Sequence, residues 1–226
     1  MKNFLGTVKI FRRVKFLLIF RIIEKVLQLI NTKDKICMIP CGEGWFFRTF
    51  FKKNYKILGG DIDSERVKIS YQRARSIWTN GCRPPIMQCN LKNLPFRDNS
   101  LNCLITVRTI GHFPPEFRLA CLNEMKRVTK KWLLVQFASK NTVKYFFRRL
   151  RNSPKLDYKI KPRLLKDHTG RSESYYRQFK APTGLKKVDK KELSEEVGKA
   201  GLRVVKIFPL FPLLSERWYV LLEKTE

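Results

Sequence analysis

Two glycines and one carboxylate carry the chemistry that this sequence can do. Pro40-Cys41-Gly42-Glu43-Gly44 follows directly on a short apolar run, Lys35–Ile39, and Asp61 lies 17 residues after Gly44, at the end of a second such run. Glycines in a turn after a strand let backbone approach a ligand where a Cβ would intrude. An acid at the end of the next strand can accept hydrogen bonds from both hydroxyls of a ribose. Strand, glycine turn, helix, strand and acid in this order point to a nucleoside-bearing cofactor. Arg108 and His112 follow a later strand and are the weak catalytic candidates; no catalytic residue stands out. Arg108 reads either as a ligand for an anionic substrate or as a surface charge. His112, before Phe113-Pro114-Pro115, reads as a packing residue at a helix start or as a general base. Cys41 reads as a small filler under the turn, since nothing basic stands ready to activate it.

The elements that position these residues alternate. Strands are expected at 35–39, 56–61, 86–89, 101–107 and 132–137, with helices at 45–52, 64–79 and 116–129. This alternation predicts an α/β fold: a mostly parallel, Rossmann-like sheet with helices on both faces, its ligand at the carboxyl ends of the central strands. Asp189 with Glu192 three residues on marks another helix start, and Gly201 its stop. Leu202–Phe208 and Trp218–Leu222 follow as two strands whose connection is too short for a crossover helix, so they pair antiparallel.

Composition sets the setting. The chain has 226 residues, 43% of them hydrophobic, enough for one core. Its 48 Lys and Arg against 19 Asp and Glu leave a net charge of +29, which favours a polyanionic partner, nucleic acid or an anionic membrane. The six cysteines contain no C-x-x-C pair and only His112 and His168 accompany them, so no metal site is expected and the thiols read as reduced and buried. Residues 1–34 read as a basic amphipathic helix, with seven basic residues against Glu24 and an apolar stripe at 11, 14, 18, 22, 26 and 29. Two readings stay open for it: a helix packed over the edge of the domain, or one lying on an anionic membrane. Its apolar centre, Phe16–Phe20, is too short to span a bilayer or serve as a signal peptide. The expected location is the cytoplasm, peripheral on the inner face of the membrane if the helix is an anchor. Residues 35–226 form the main domain, interrupted at 140–187 by a basic, tyrosine-bearing, lid-like insert between the fifth strand and the last helix.

Together these segments resemble the class I S-adenosylmethionine-dependent methyltransferases, in particular the small single-domain, methyltransferase type 11-like group with an L-P-F motif. Ile36–Gly44 looks like the family's first motif and Gly60-Asp61-Ile62-Asp63 like its ribose-binding motif. Asn90-Leu91-Lys92-Asn93-Leu94-Pro95-Phe96, then Asp98–Asn102, looks like the segment that lines the adenine and leads into the fourth strand. The resemblance implies a mostly parallel seven-stranded sheet closing on an antiparallel pair, with S-adenosylmethionine as cofactor. It implies that Pro40, Cys41, Gly42 and Gly44 form the turn under the methionine portion, with Asp61 on the ribose. Ile62 would then flank the adenine, Asn90 and Leu91 would border it, and Thr106 would face the methyl group. The sequence departs from the family at Met38, Asn90 and Asn102, where acids are common. The motifs of exocyclic-amine and cytosine-C5 methyltransferases are missing after the fourth strand, where Thr106-Val107-Arg108-Thr109 stands. The favoured acceptor is an anionic lipid or glycolipid head group, or another small molecule at a membrane surface. RNA methylation and a non-catalytic RNA- or membrane-binding module are the alternatives.

Overall fold

The computed structural model describes residues 2–31, 33, 35–78, 84–140, 187–211 and 216–225, with side chains from Val14 onward. Helix α1 (Lys2–Leu29) leads into strand β1 (Ile36–Met38), α2 (Phe47–Lys52), β2 (Ile57–Asp61), α3 (Ser64–Ile77) and β3 (Ile86–Gln88). Then come β4 (Leu101–Thr106), a 3-10 turn (Ile110–His112), α4 (Pro115–Val128) and β5 (Thr129–Ser139). After the insert the chain forms β6 (Lys187–Val188), α5 (Lys190–Lys199), β7 (Leu202–Pro209) and β8 (Arg217–Lys224). The lid-like segment 140–187, with His168, lies outside the described residues except at its two ends, as does Cys82.

The strands form one sheet in the order β3-β2-β1-β4-β5-β8-β7. Neighbours from β3 to β5 are parallel, and β8 pairs antiparallel with both β5 and β7. The sheet has eight strands rather than the expected seven, because the two residues of β6 pair with the end of β5. Reversal of strand order beside β1 puts the switch point, where open sheets bind ligands, above β1 and β4.

Each face of the sheet carries its own core. On one face, α4 and α5 pack through Leu122, Met125, Leu193 and Val197 against Leu104, Leu133 and Val220. On the other, α1, α2 and α3 pack through Ile23, Phe47, Phe50 and Ala74 against Ile36, Ile105, Leu134 and Leu221. Capping matches the residue pattern. Asp63 starts α3 by accepting from the backbone N–H groups of Glu65 and Arg66. Asp189 and Glu192 form a reciprocal capping box on α5.

α1 packs on the domain, through part of the expected stripe (Leu18, Ile22 and Val26) and through neighbours beside it. The buried residues are Ile19, Phe20, Ile23, Val26 and Leu27, whereas Val14, Leu17 and Leu29 are exposed. Val14 and Leu29, toward the two ends of that stripe, stay exposed. An aromatic cluster anchors the buried face: Phe20 meets Phe50 edge-on at 5.4 Å, and Phe16 lies 5.4 Å from Phe46. At about 1.5–3 kcal/mol per large side chain, burial of these five residues contributes on the order of 10 kcal/mol before entropy is counted. That face is therefore not available to a bilayer. Among the described residues, no helix is long and apolar enough to cross a membrane.

Candidate cofactor site

β1 is buried throughout and leads into Ile39, whose N–H donates to Ile105 O on β4 at 3.0 Å. After a cis Ile39–Pro40 bond, the chain turns over the sheet edge, where Cys41 N–H donates to Gly60 O at 2.7 Å. Gly42 and Gly44 both have positive φ, +57° and +73°. A Cβ on Gly44 would lie 2.7 Å from the Phe47 ring. A Cβ on Gly42 would meet nothing within 4 Å, so this backbone faces open space. Arg73 of α3 holds the outer side of the turn by donating to Glu43 O at 2.6 Å, with its guanidinium 4.0 Å from the Trp45 ring centre.

Asp61 faces this turn. Its Oδ2 accepts from Gly42 N–H at 2.9 Å and its Oδ1 from Asp63 N–H at 3.1 Å, and the residue is 1% exposed. Burial raises its pKa, while the Asp63 N–H, the Arg66 charge and the Gly42 N–H oppose that rise. Each carboxylate oxygen keeps acceptor capacity beyond its one backbone donor. Bare backbone facing open space at Gly42 and a carboxylate at its side are the two features that an adenosyl group needs. The residues fit it.

A small, half-open cleft lies beside the turn. Pro40, Ile62, Asn90 and Leu91 line it together, joined by Thr109 and Phe113. The last two were not singled out from the sequence, although the aromatic before Pro114-Pro115 was a usable signal. Asn90 Oδ1 accepts from Lys92 N–H at 3.0 Å, which fixes the side chain in a local turn.

The L-P-F segment is held from α4, and the sequence gives no local sign of this. Arg127 donates to the carbonyls of Leu94 and Phe96 and to Asp98 Oδ1, and pairs with Glu124, which in turn accepts from Leu94 N–H at 2.7 Å. These two side chains lie some thirty positions from the loop they position.

Other expected residues fall elsewhere. Cys41 is buried, its Sγ 3.8 Å from Ser70 Oγ, and burial followed by the Asp61 charge pushes its thiol up to about 12. Its burial and raised pKa suit a small filler beneath the turn. Thr106 does not open to the cleft: it is fully buried and its hydroxyl donates to Ile39 O at 2.7 Å. Its side chain ties β4 to β1 instead of facing a methyl group. Met38, where the family often has an acid, is buried in the core under α1. His112 is half-buried at the end of the 3-10 turn that precedes α4. Arg108 is exposed just past β4, in the left-handed region at φ +67°, with its N–H donating to Gln136 Oε1 at 3.1 Å. An L-residue held there costs about 1–2 kcal/mol, a cost often found at functional positions.

Known proteins place this architecture. Residues 36–132 match a family described as a methyltransferase domain. No curated protein matches the chain by sequence. Among solved structures, it is similar to magnesium protoporphyrin IX methyltransferase from Synechocystis PCC 6803 with bound SAH, S-adenosylhomocysteine (TM-score 0.69, 14% identity, covering 94% of this chain and 85% of that one). It is also similar to a SAM-dependent methyltransferase from Methanosarcina mazei (TM-score 0.62, 18% identity, covering 88% and 97%). A third likeness is to a possible histamine N-methyltransferase from Thermotoga maritima (TM-score 0.51, 16% identity, covering 84% and 82%). At these identities the structural likenesses speak for the fold, and the family match covers the strands and turns that build the cleft. The chain thus has the fold of S-adenosylmethionine-dependent methyltransferases, and its residues 36–132 match a methyltransferase-domain family.

Proposed function

We propose that the chain transfers a methyl group from S-adenosylmethionine to an anionic acceptor presented at a membrane surface. The observation that carries the cofactor half is the Asp61–Gly42 contact beneath open space: carboxylate and bare backbone meet where a ribose and a methionine portion would lie. Gly42 leaves room for the cofactor, Asp61 accepts from the ribose hydroxyls, and Ile62 and Leu91 flank the adenine. Bound S-adenosylmethionine supplies an already activated methyl on its sulfonium. The protein then has to hold the acceptor in line with that methyl and exclude water, which needs no dedicated catalytic residue.

The acceptor half rests on charge and on α1. With its inner face buried, α1 turns Val14 and Leu17 outward with Arg21 and Lys25 on a chain of net charge +29, a pattern suited to shallow contact with anionic lipid.

Calorimetry with S-adenosylmethionine tests the cofactor half. Wild type binds in the micromolar range. Asp61→Ala weakens binding by roughly 10- to 100-fold, the loss of charge-assisted hydrogen bonds, and Gly42→Val abolishes it while the fold persists. No binding by wild type at millimolar cofactor would turn the domain into a non-catalytic binding module.

A further inference from the structure

The carboxyl edge of the sheet carries exposed apolar side chains as well as the cleft. β1, β4 and β5 run toward this edge, and β7 does too, because β8 is antiparallel to both β5 and β7. Trp45 follows the cofactor turn after β1 and is 49% exposed. Phe211, just beyond the end of β7, is 37% exposed. α1 brings Leu17, 62% exposed, to the same edge, because the neighbouring Phe16 ring lies 6.1 Å from the Trp45 ring. β1 and β7 are four strand spacings apart, so Trp45 and Phe211 stand on the order of 20 Å from each other along the edge. Each apolar tip has cations beside it. Arg21 is exposed one helical turn beyond Leu17, and Arg48 is exposed in the first turn of α2. The Arg73 guanidinium lies 4.0 Å from the Trp45 ring centre, and exposed Lys206 reaches to 5.6 Å from the Phe208 ring centre. Two acids of this edge already face cations: Glu43 lies 3.9 Å from Arg73, and Glu216 lies 2.6 Å from Lys187.

We propose that Leu17, Trp45 and Phe211 seat the carboxyl edge on an anionic phospholipid bilayer, with the cleft turned toward the lipid. This seating rests on the membrane half of the proposed function and adds an orientation that α1 alone does not give. Three tips spread along the edge cannot share one small ligand, whereas a flat surface meets all of them at once. Tryptophan, phenylalanine and leucine flanked by lysine and arginine suit the boundary between head groups and acyl chains. The rings enter shallowly while the cations beside them stay at the level of the lipid phosphates. The net charge of +29 matches the negative surface of such a bilayer. Open α/β sheets bind their ligands at this same edge, so a lipid-borne acceptor reaches the cleft without leaving the bilayer.

The test mixes the full chain with vesicles of phosphatidylglycerol and phosphatidylcholine whose acyl chains are brominated, so that any tryptophan at that depth is quenched. Flotation on the same vesicles is measured in parallel, with S-adenosylhomocysteine calorimetry on the Phe211 variant. Wild type is quenched, and Trp45→Phe removes most of the quenching while the protein still floats. The other tryptophans stay bright, since Trp78 and Trp218 are buried and Trp132 lies in the first half of β5, away from this edge. Phe211→Glu weakens flotation about tenfold through lost apolar burial, with S-adenosylhomocysteine affinity unchanged within about twofold. Val205→Glu, at an exposed apolar position in the middle of β7, leaves flotation as it was. Flotation of wild type with Trp45 unquenched would overturn the seating while leaving the acceptor at a membrane. Equal weakening by Val205→Glu and Phe211→Glu would also overturn it, because any added acid would then have the same effect. No flotation of wild type at all would strike the membrane half of the proposed function itself. A dimer that Phe211→Glu dissociates would, in that case, give the edge to a second copy of the chain.

Discussion

Asp61 is where side-chain chemistry can be tested most sharply. Both of its oxygens accept from backbone N–H groups, and an amide has only one acceptor oxygen. Asp61→Asn would set an NH2 against the N–H of Gly42 or Asp63, so we expect a loss of about 1–3 kcal/mol of stability in urea unfolding. The pH dependence has two opposite signs. Burial raises the folded pKa of Asp61, so its stability contribution is fully present below the ordinary aspartate range and is lost as pH rises through that raised value. Cofactor affinity moves the other way. The ribose needs the carboxylate, so affinity falls as pH drops through the same pKa, by about fivefold, the difference between a charge-assisted and a neutral hydrogen bond. Calorimetry across the acidic range checks the second trend and unfolding midpoints the first. Asp61 and Gly42 were legible in the sequence because the order of strand, turn and acid constrains them. Thr106 was not. Its place at a strand end is visible, but strand register sends its hydroxyl to Ile39 O.

Elements decide whether the cleft keeps its shape. The L-P-F loop stays in place because one side chain of α4, Arg127, reaches two of its carbonyls and Asp98 at the same time. Arg127→Met frees those groups and leaves Glu124 without its cation. The expected outcome is faster amide hydrogen exchange across 94–99 and weaker cofactor binding, with exchange in β5 and β8 unchanged. Exchange that rises equally everywhere would make Arg127 a global stabiliser instead. Periodicity and capping placed most helices and strands close to where they are, including the Asp189–Glu192 box and the closing hairpin. α1 was placed as a helix and its buried face in part: Leu18, Ile22 and Val26 pack as expected, while the Phe46 and Phe50 rings turn the centre of that face toward Phe16 and Phe20. β5 runs from Thr129 rather than 132, because exposed Lys130 and Lys131 mask its start in the sequence.

Taken whole, the molecule is a sheet whose carboxyl edge carries the cleft beside Pro40, Ile62 and Thr109, with α1 packed on one face. The net charge was visible, and its consequence is measurable. Binding to phosphatidylglycerol vesicles should fall steeply with added salt, as screening shortens the reach of exposed charges to about 10 Å at 0.1 M. Leu17→Glu on the outer side of α1 should weaken it further without changing cofactor affinity, in a flotation assay. Retained flotation in high salt would point to apolar insertion instead. Preference for RNA over vesicles at equal salt would move the acceptor to nucleic acid.

The account turns on where an adenosyl group sits, and a crystal structure with S-adenosylhomocysteine measures that directly. We predict ribose hydroxyl oxygens about 2.5–3.0 Å from Asp61 carboxylate oxygens, the methionine portion over Gly42 and the adenine between Ile62 and Leu91. A ribose turned away from Asp61, or a ligand bound outside this turn, would contradict it.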